Sequence, residues 1–462
     1  MTIDVQFITL PRDLARRLRL RSGDGLLSCG KMILPVRFGV TAAAGSVEMS
    51  LFLWNSIGLQ DVTPSWLGLY RGPEGVPHLG PVVAAVSSFP PAALPSENQL
   101  AFAGLTYSSR ERGVLFYVTV PEKLDFASRR AGGFVLGPVG QEGDPPDWRE
   151  VALPLPDVVI NQITAVGPGQ TEAYRRLGQE YAARPGGYPQ FLTKGWLDKE
   201  RAFRLLAADS LAARYVPCTV TLAAGSTEVL WEMLDRFGQV FLKPTRGSAG
   251  LNILRLTNTP PHFLAEYRLG DRNIARVCDS KDEVRALIEP ALGHSDYVCQ
   301  QAIARPEVDG GPVDFRIALG RNGRGRWEPF YYRGRRAQPG AICTNRSYGG
   351  VWGPIDDLLD KVFPRSTHEM KEALIRCALD VARAVSGPEA GDCCLIALDI
   401  ALDHQGHPWL LEVNDRPNLG GGRTAAGKFA IWMMSELMLS YSILVAGGTD
   451  RTLVWPLPTL DP

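Results

Sequence analysis

Three groups of residues in this 462-residue chain have the types and spacing to do chemistry. The first is rich in oxygen donors. Glu412 and Asn414 stand two apart in Pro408-Trp409-Leu410-Leu411-Glu412-Val413-Asn414, so on a strand both side chains point to one face. Asp399 interrupts the otherwise apolar run Leu395–Leu402, and Asp403-His404-Gln405-Gly406-His407 joins the two segments as a hairpin. Two carboxylates and an amide on one buried sheet face repel unless a cation lies among them. A few hard oxygen donors that leave room for water and phosphate suit Mg²⁺ better than Zn²⁺. The alternative is that Asp399 and Glu412 simply pair with nearby arginines.

The second group centres on Lys243, which ends Val240-Phe241-Leu242-Lys243-Pro244. The loop after it, Thr245 to Gly250, contains Gly247, Ser248 and Gly250, whose backbone N–H groups can approach an anion closely. This is not a P-loop, because no Gly-Lys-Ser/Thr opens a helix. A plain hairpin turn with a solvated lysine is the competing reading. The third group is arginine: Arg316 in Asp314-Phe315-Arg316, with Arg333, Arg335 and Arg336 downstream. Planar guanidinium groups clamp phosphate and carboxylate oxygens. A solvated basic patch is the alternative here.

Positioning these groups requires a mixed α/β framework. The continuous apolar runs Pro81–Val86, Gly113–Val118 and Asp157–Asn161 fit strands buried on both faces of an open parallel sheet. Before them, a β-rich region is expected, with a helix over Arg12–Leu20, a turn at Gly23-Asp24-Gly25 and short strands at Leu34–Phe38 and Val47–Leu53. Gly167–Gly187 reads as a polar, partly mobile connector. Asp198 caps a helix from about Lys199 to Arg214. Val240–Pro244 and Leu251–Leu256 form a hairpin, Val298–Ile303 a strand, and Val313–Leu319 with Trp327–Arg333 another hairpin around Asn322-Gly323. Ser366-Thr367-His368-Glu369 has the pattern of a capping box, opening a helix with Met370, Leu374, Cys377, Ala378 and Val381 on one face.

Composition bounds what these elements can serve. Apolar residues make up 45% and charged residues 21%, the balance of a folded chain with ample core material. Lys+Arg and Asp+Glu both number 49, so no net field favours nucleic acid or an anionic membrane, and neither is an expected partner. The N-terminus lacks the basic start and apolar run of a signal peptide. Phe429 to Ala446 is broken by Glu436 and reads as a buried amphipathic helix, not a membrane span. Eight scattered cysteines, with no Cys-x-x-Cys, read as reduced buried thiols in a cytoplasmic protein. The six histidines are isolated from the motifs and read as structural or solvated.

Taken together, Lys199, Phe241-Leu242-Lys243-Pro244 with its Gly-rich loop, the hinge Val298-Cys299-Gln300-Gln301-Ala302-Ile303, Asp314-Phe315-Arg316, Asp399 and Glu412-Val413-Asn414 resemble the ATP-grasp fold. More narrowly, Gly80-Pro81, Leu155-Pro156-Asp157-Val158-Val159, the Lys243 loop, Thr344-Asn345-Arg346-Ser347-Tyr348-Gly349-Gly350 and Glu412-Val413-Asn414 resemble the YheC/YheD family, ATP-grasp proteins named for association with the endospore coat. Arg335 to Asn345 also resembles the matching stretch of RimK-type ligases. The resemblance spans roughly residues 1–445. One departure is Asn161-Gln162-Ile163, where the family leads to Asn-Arg-Ile.

The resemblance implies an α/β (α+β) chain: an N-terminal β-rich domain (1–75), an open α/β domain (76–195), ATP-grasp subdomains at 196–303 and 304–446, and a tail (447–462). It implies ATP and Mg²⁺ as cofactors. Lys199, Lys243, Gly247, Ser248, Gly250, Gln300, Gln301, Ala302 and Ile303 would bind the nucleotide, the hinge residues lining the adenine slot. Arg316, Arg335 and Asn345 would act on phosphates or an acyl phosphate, and Asp399, Glu412 and Asn414 would hold the metal. The expected function is an ADP-forming carboxylate–amine ligase acting on small-molecule or peptide substrates. It needs no protein nucleophile, consistent with the lack of a Ser/His or Cys/His pattern. The alternatives are a nucleotide-binding spore-coat or assembly protein without turnover, and an ATP-dependent small-molecule kinase. A cytoplasmic location follows, with spore association implied by the family. Nothing in the sequence sets an oligomeric state.

Overall fold

In this computed structural model, residues 6–42, 47–60, 66–72, 75–137, 147–163, 166–167, 169–181, 191–192, 198–222, 227–245, 252–269, 272–292, 296–345, 349–386, 393–415, 417, 425–447 and 453–456 are described. They form two compact units. The first comprises Met1–Lys194, Gly320–Arg326 and Asn418–Pro462, the second Gly195–Leu319 and Trp327–Pro417.

The first unit holds two seven-stranded sheets. In one, Gly23–Cys29 pairs antiparallel with Met32–Thr41, and Leu453–Pro456, from the expected tail, pairs with Trp66–Arg71. In the other, Val82–Ser87 runs parallel to both Leu115–Thr119 and Val158–Gln162, and all three are almost wholly buried. The reason is their near-continuous Val, Ala, Leu and Ile, which suits strands covered on both faces. Leu27, Leu79, Val86, Tyr117 and Val159 belong to one core that runs through both sheets, and the expected boundary at residue 75 cuts the first sheet between its paired strands Trp66–Arg71 and Pro77–Leu79.

A polar clamp crosses that core. Asp157 Oδ2 accepts the Val82 N–H at 2.8 Å and lies 2.9 Å from His78 Nε2, while His78 Nδ1 lies 2.7 Å from Ser28 Oγ. The chain can reach this geometry because Gly80 sits at φ +138°, and a Cβ there would stand 2.8 Å from the Val82 nitrogen. Gly80-Pro81 and Asp157, motif residues in the sequence, are thus structural here.

Three local expectations change. Residues 51–56 form a helix, not a strand, because the Ser50 side chain accepts the Leu53 N–H at 3.2 Å and caps it. Gly23-Asp24-Gly25 opens a strand instead of making a turn. Thr171–Glu180, within the expected connector, is a helix that buries Leu177 and receives an Asn161 hydrogen bond on the Tyr174 hydroxyl at 3.0 Å. The helix Ala425–Val445 packs on Ser96–Glu111, and its Glu436 is ion-paired with Arg112. It is the one helix among the described residues long and apolar enough to cross a membrane, and half of that stretch is buried inside the structure.

The second unit holds two six-stranded sheets. The lysine strand Gln239–Pro244 lies between Leu254–Thr259 and the hinge strand Tyr297–Gln301, antiparallel to each. In the other sheet, the arginine hairpin (Gly311–Arg321 and Trp327–Arg336) adjoins the carboxylate hairpin (Leu395–Leu402 and Pro408–Asn414). The helix capped by Asp198, which accepts the Arg201 N–H at 2.8 Å, ends at Ala208 and gives way to a short 3-10 turn at Ala213–Tyr215. Thr367–Ala384 buries Leu374, Cys377, Ala378 and Val381 as its spacing predicts, but Ser366 makes no side-chain cap; Thr367 Oγ1 donates to Asp360 at 2.6 Å.

Strand alternation sorts the side chains. Phe315, Ile317 and Leu319, with Ile396, Leu398 and Ile400, enter the core, leaving Asp314, Arg316 and Asp399 on the opposite face. Ile400 pairs with Leu410 but Asp399 pairs with Glu412, so Leu411 is an extra residue in a β-bulge. Without that bulge Glu412 would share the core-facing side of Leu410. The clamp in the first unit yields a test. Asp157→Ala leaves two buried donors unpartnered and is expected to cost about 2–4 kcal/mol, seen as a lower urea midpoint; an unchanged midpoint would show that the clamp is dispensable.

Candidate functional site

On the face of the second unit opposite that core, a cleft is lined by the charged side chains Lys243, Arg305, Asp314, Arg335, Asp399 and Glu412. Phe241, Ile253, Ile303, Ile342 and Leu411 supply its apolar lining. Gln300, Gln301, Cys343, Thr344 and Asn345 complete it.

Lys243 is placed by its strand: Val240 and Leu242 enter the core, so Phe241 and Lys243 face the cleft. The ammonium donates to Gln300 Oε1 at 2.6 Å and to the Leu411 carbonyl at 3.4 Å. Burial pulls its pKa down to about 8, against the opposing attraction of the Glu412 carboxylate. Lys199, at the start of its helix, lies 3.1 Å from Glu412 Oε1.

The arginines form an alternating chain of charge. Asp314 Oδ1 accepts from Arg335 Nε at 2.5 Å, and its Oδ2 accepts from Arg305 Nη1 at 3.3 Å and Thr344 Oγ1 at 2.7 Å. Asp399 accepts a two-point contact from Arg316, Nε to Oδ1 at 2.7 Å and Nη2 to Oδ2 at 2.9 Å. Arg335 Nη1 also lies 3.0 Å from Asp399 Oδ2. Burial opposes ionisation of Asp399, yet Arg316 and Arg335 hold its carboxyl well below the usual carboxylate range. The Trp352 ring lies 5.1 Å from the Arg316 guanidinium carbon and 5.4 Å from that of Arg335. Gly350 allows the approach of this segment, since a Cβ there would sit 2.1 Å from the Thr344 carbonyl oxygen.

Of the residues expected from sequence, the structure brings Lys243, Gln300, Gln301, Ile303, Arg335, Asn345, Asp399 and Glu412 to one cleft. Arg316 joins through Asp399, and Lys199 through Glu412. Gln300 is buried and serves Lys243, also donating to Thr219 Oγ1 at 3.0 Å. Ala302 does not line the cleft among the described residues, and its N–H donates to the Gln239 carbonyl at 3.1 Å. Arg333 instead donates to the Tyr332 carbonyl, and Arg336 is ion-paired with Asp309. Gly247, Ser248 and Gly250 lie outside the described residues. Arg305, Thr344, Trp352 and Leu411 were not legible as site residues. The alternation of Asp314 with Arg316 carried a signal for Asp314.

For Mg²⁺ the donor set has the right chemistry: two carboxylates and an amide on one face. The buried Asn414 Nδ2 has no hydrogen-bond partner, and turning that amide over presents its carbonyl oxygen instead. Asp399 is the shared member, because both its oxygens already accept from guanidinium groups. Among the described residues, no three His, Cys, Asp or Glu side chains cluster as a metal site by themselves. The alternating chain has a stability consequence. Asp314→Ala leaves the buried Arg305 without its carboxylate and Arg335 with Asp399 alone, and is expected to cost about 3–5 kcal/mol in thermal unfolding, whereas a wild-type melting curve would contradict the assigned network.

The site can now be set beside known proteins. A family model described as YheC/D like ATP-grasp matches residues 189–445. The endospore coat-associated protein YheD of Bacillus subtilis (strain 168) is 24% identical over 349 residues, covering 74% of this chain and 73% of that protein. The endospore coat-associated protein YheC of the same organism is 20% identical over 274 residues, 58% of this chain and 73% of that protein. Among solved structures, VanG D-Ala:D-Ser ligase from Enterococcus faecalis is 12% identical with a TM-score of 0.46, covering 79% of this chain and 99% of that one. The family match takes in more than half of the chain, including every element of the cleft just described. The chain belongs to the YheC/D-like ATP-grasp family.

Proposed function

We propose that this chain is an ATP-dependent carboxylate–amine ligase that works through an acyl phosphate. The observation that carries the reading is the mixed lining of one cleft: apolar Phe241, Ile253, Ile303, Ile342 and Leu411 together with cationic Lys243, Arg305 and Arg335. That combination suits a nucleotide, a flat base with a polyanionic tail.

In this reading the base lies against Phe241 and Leu411 beside Gln301 and Ile303. Lys199 and Lys243 hold phosphate oxygens as point charges, and Arg316 and Arg335 hold them as two-pronged donors. These cations stabilise transfer of the γ-phosphoryl group to a substrate carboxylate oxygen, breaking the bond to ADP. An amine nitrogen then attacks the acyl carbon, the bond to phosphate breaks, phosphate leaves, and the amine loses a proton. Asn345, at the cleft wall, would steady the acyl phosphate. Asp399, Glu412 and Asn414 would hold Mg²⁺, which when bound neutralises phosphate oxygens. The described lining offers Cys343 as its one thiol, and burial pushes that thiol's pKa up, making it a poor nucleophile. Direct transfer without a covalent protein intermediate agrees with this.

A second reading is favoured by a specific observation: Asp399 and Glu412 are already paired with Arg316, Arg335 and Lys199. A nucleotide-binding protein without turnover, associated with a spore coat as the YheC and YheD names describe those proteins, would need nothing more. Phosphate release from ATP against panels of carboxylates and amines separates the two. The ligase reading expects phosphate only when both substrates are present. ADP without phosphate would indicate a kinase, and bound ATP with no product would indicate the second reading.

Lys243 gives a further expectation. With a pKa of about 8 in the free protein, it is charged below that value and loses charge as pH rises through it. Affinity for an ATP analogue should therefore weaken by about tenfold between pH 7 and 9, measured calorimetrically. Lys243→Arg should flatten the profile, because a guanidinium stays charged throughout. A wild-type affinity constant across this range would contradict the placement of Lys243 on the phosphates.

A further inference from the structure

We propose that Arg316 is the built-in counter-cation of Asp399 and keeps a divalent ion out of the site until nucleotide arrives. The inference rests on the reading above, in which Asp399, Glu412 and Asn414 hold the metal.

Both oxygens of Asp399 already accept from guanidinium groups. Arg316 takes Oδ1 at 2.7 Å and Oδ2 at 2.9 Å, and Arg335 Nη1 stands 3.0 Å from Oδ2. A bare divalent ion approaching Asp399 meets two guanidinium groups, and the nearest Glu412 oxygen is 3.1 Å from the Lys199 ammonium. Glu412 and Asn414 alone give one carboxylate and one amide, too few to hold a small, strongly hydrated ion without phosphate oxygens.

The two arginines are not equivalent. Arg335 is gripped a second time by Asp314 at 2.5 Å and its side chain is only 2% exposed. Arg316, at 13% exposure, has its aligned charged partner in Asp399, with the Trp352 ring beside it. Arg316 is therefore the group that can yield. Phosphate oxygens offer its guanidinium an equivalent two-point partner, and the same nucleotide supplies the ion with the oxygen ligands that the protein lacks. Asp399 thus exchanges one cation for another, and nucleotide and metal enter together.

Mn²⁺ serves as a spectroscopically visible divalent probe. Free Mn²⁺ is read by electron paramagnetic resonance in titrations of nucleotide-free wild type, Arg316→Met and Arg316→Lys, each checked for a cooperative unfolding transition. In parallel, wild type is titrated with Mn·AMP-PNP and followed by tryptophan fluorescence. Arg316→Met frees Asp399 Oδ1 and should bind Mn²⁺ at least tenfold more tightly than wild type. Arg316→Lys keeps the positive charge and should stay close to wild type, while Mn·AMP-PNP binds wild type well. Equal Mn²⁺ affinity for wild type and Arg316→Met, with Mn·AMP-PNP still binding, would overturn this inference alone. Tight Mn²⁺ binding by nucleotide-free wild type would do the same without any variant. No binding of Mn·AMP-PNP at all would overturn the nucleotide-site reading, and this inference with it.

Discussion

Charge cannot be buried alone, and the cleft of the second unit is organised around that constraint. Arg305, Asp314, Arg335, Asp399 and Arg316 form an unbroken alternation of sign, each inner member held by a neighbour on either side. The chain is affordable because two adjacent hairpins turn their apolar residues, Phe315 and Ile317 on one and Leu398 and Ile400 on the other, to the opposite face. It ends on a guanidinium at each side, so its sum is one positive charge. Lys243 lies beside it, and the Lys199–Glu412 pair adds no net charge. That surplus shares a cleft with apolar Phe241, Ile303 and Leu411.

The same economy explains where motif residues went in the first unit. Gly80-Pro81 and Asp157 stand in the sequence among the segments that carry the family resemblance, with no chemical role expected of them. In the fold they close a clamp in which Asp157 holds the Val82 N–H and His78. His78, expected to be structural or solvated, is structural, tied to Ser28 on the neighbouring strand.

Much of the frame was legible because its signals are local. The runs Leu395–Leu402 and Pro408–Asn414 are strands with the bounds their patterns imply, and Asp198 caps its helix as its side chain predicts. Same-face placement of Glu412 and Asn414 followed from a period of two. Less legible was whatever depends on a partner distant in sequence. The bulge at Leu411, which turns Glu412 toward Asp399 and Leu411 itself toward the cleft, has no local mark. Arg305 and Trp352 owe their roles to residues on other strands, Asp314 for one and the Arg316–Arg335 pair for the other. The apolar spacing at Val47–Leu53 misled for a related reason, since one Ser50 cap outweighed a weak alternation.

The central claim is that the second unit's cleft is a nucleotide site with its phosphates at the cationic end. The most direct measurement is a crystal structure of the protein grown with Mg·AMP-PNP. The account predicts phosphate oxygens within about 3.2 Å of Lys243 Nζ and the base against Phe241, Ile303 and Leu411. A nucleotide bound elsewhere, or a base seated at the arginine end with its phosphates away from Lys243, would contradict it.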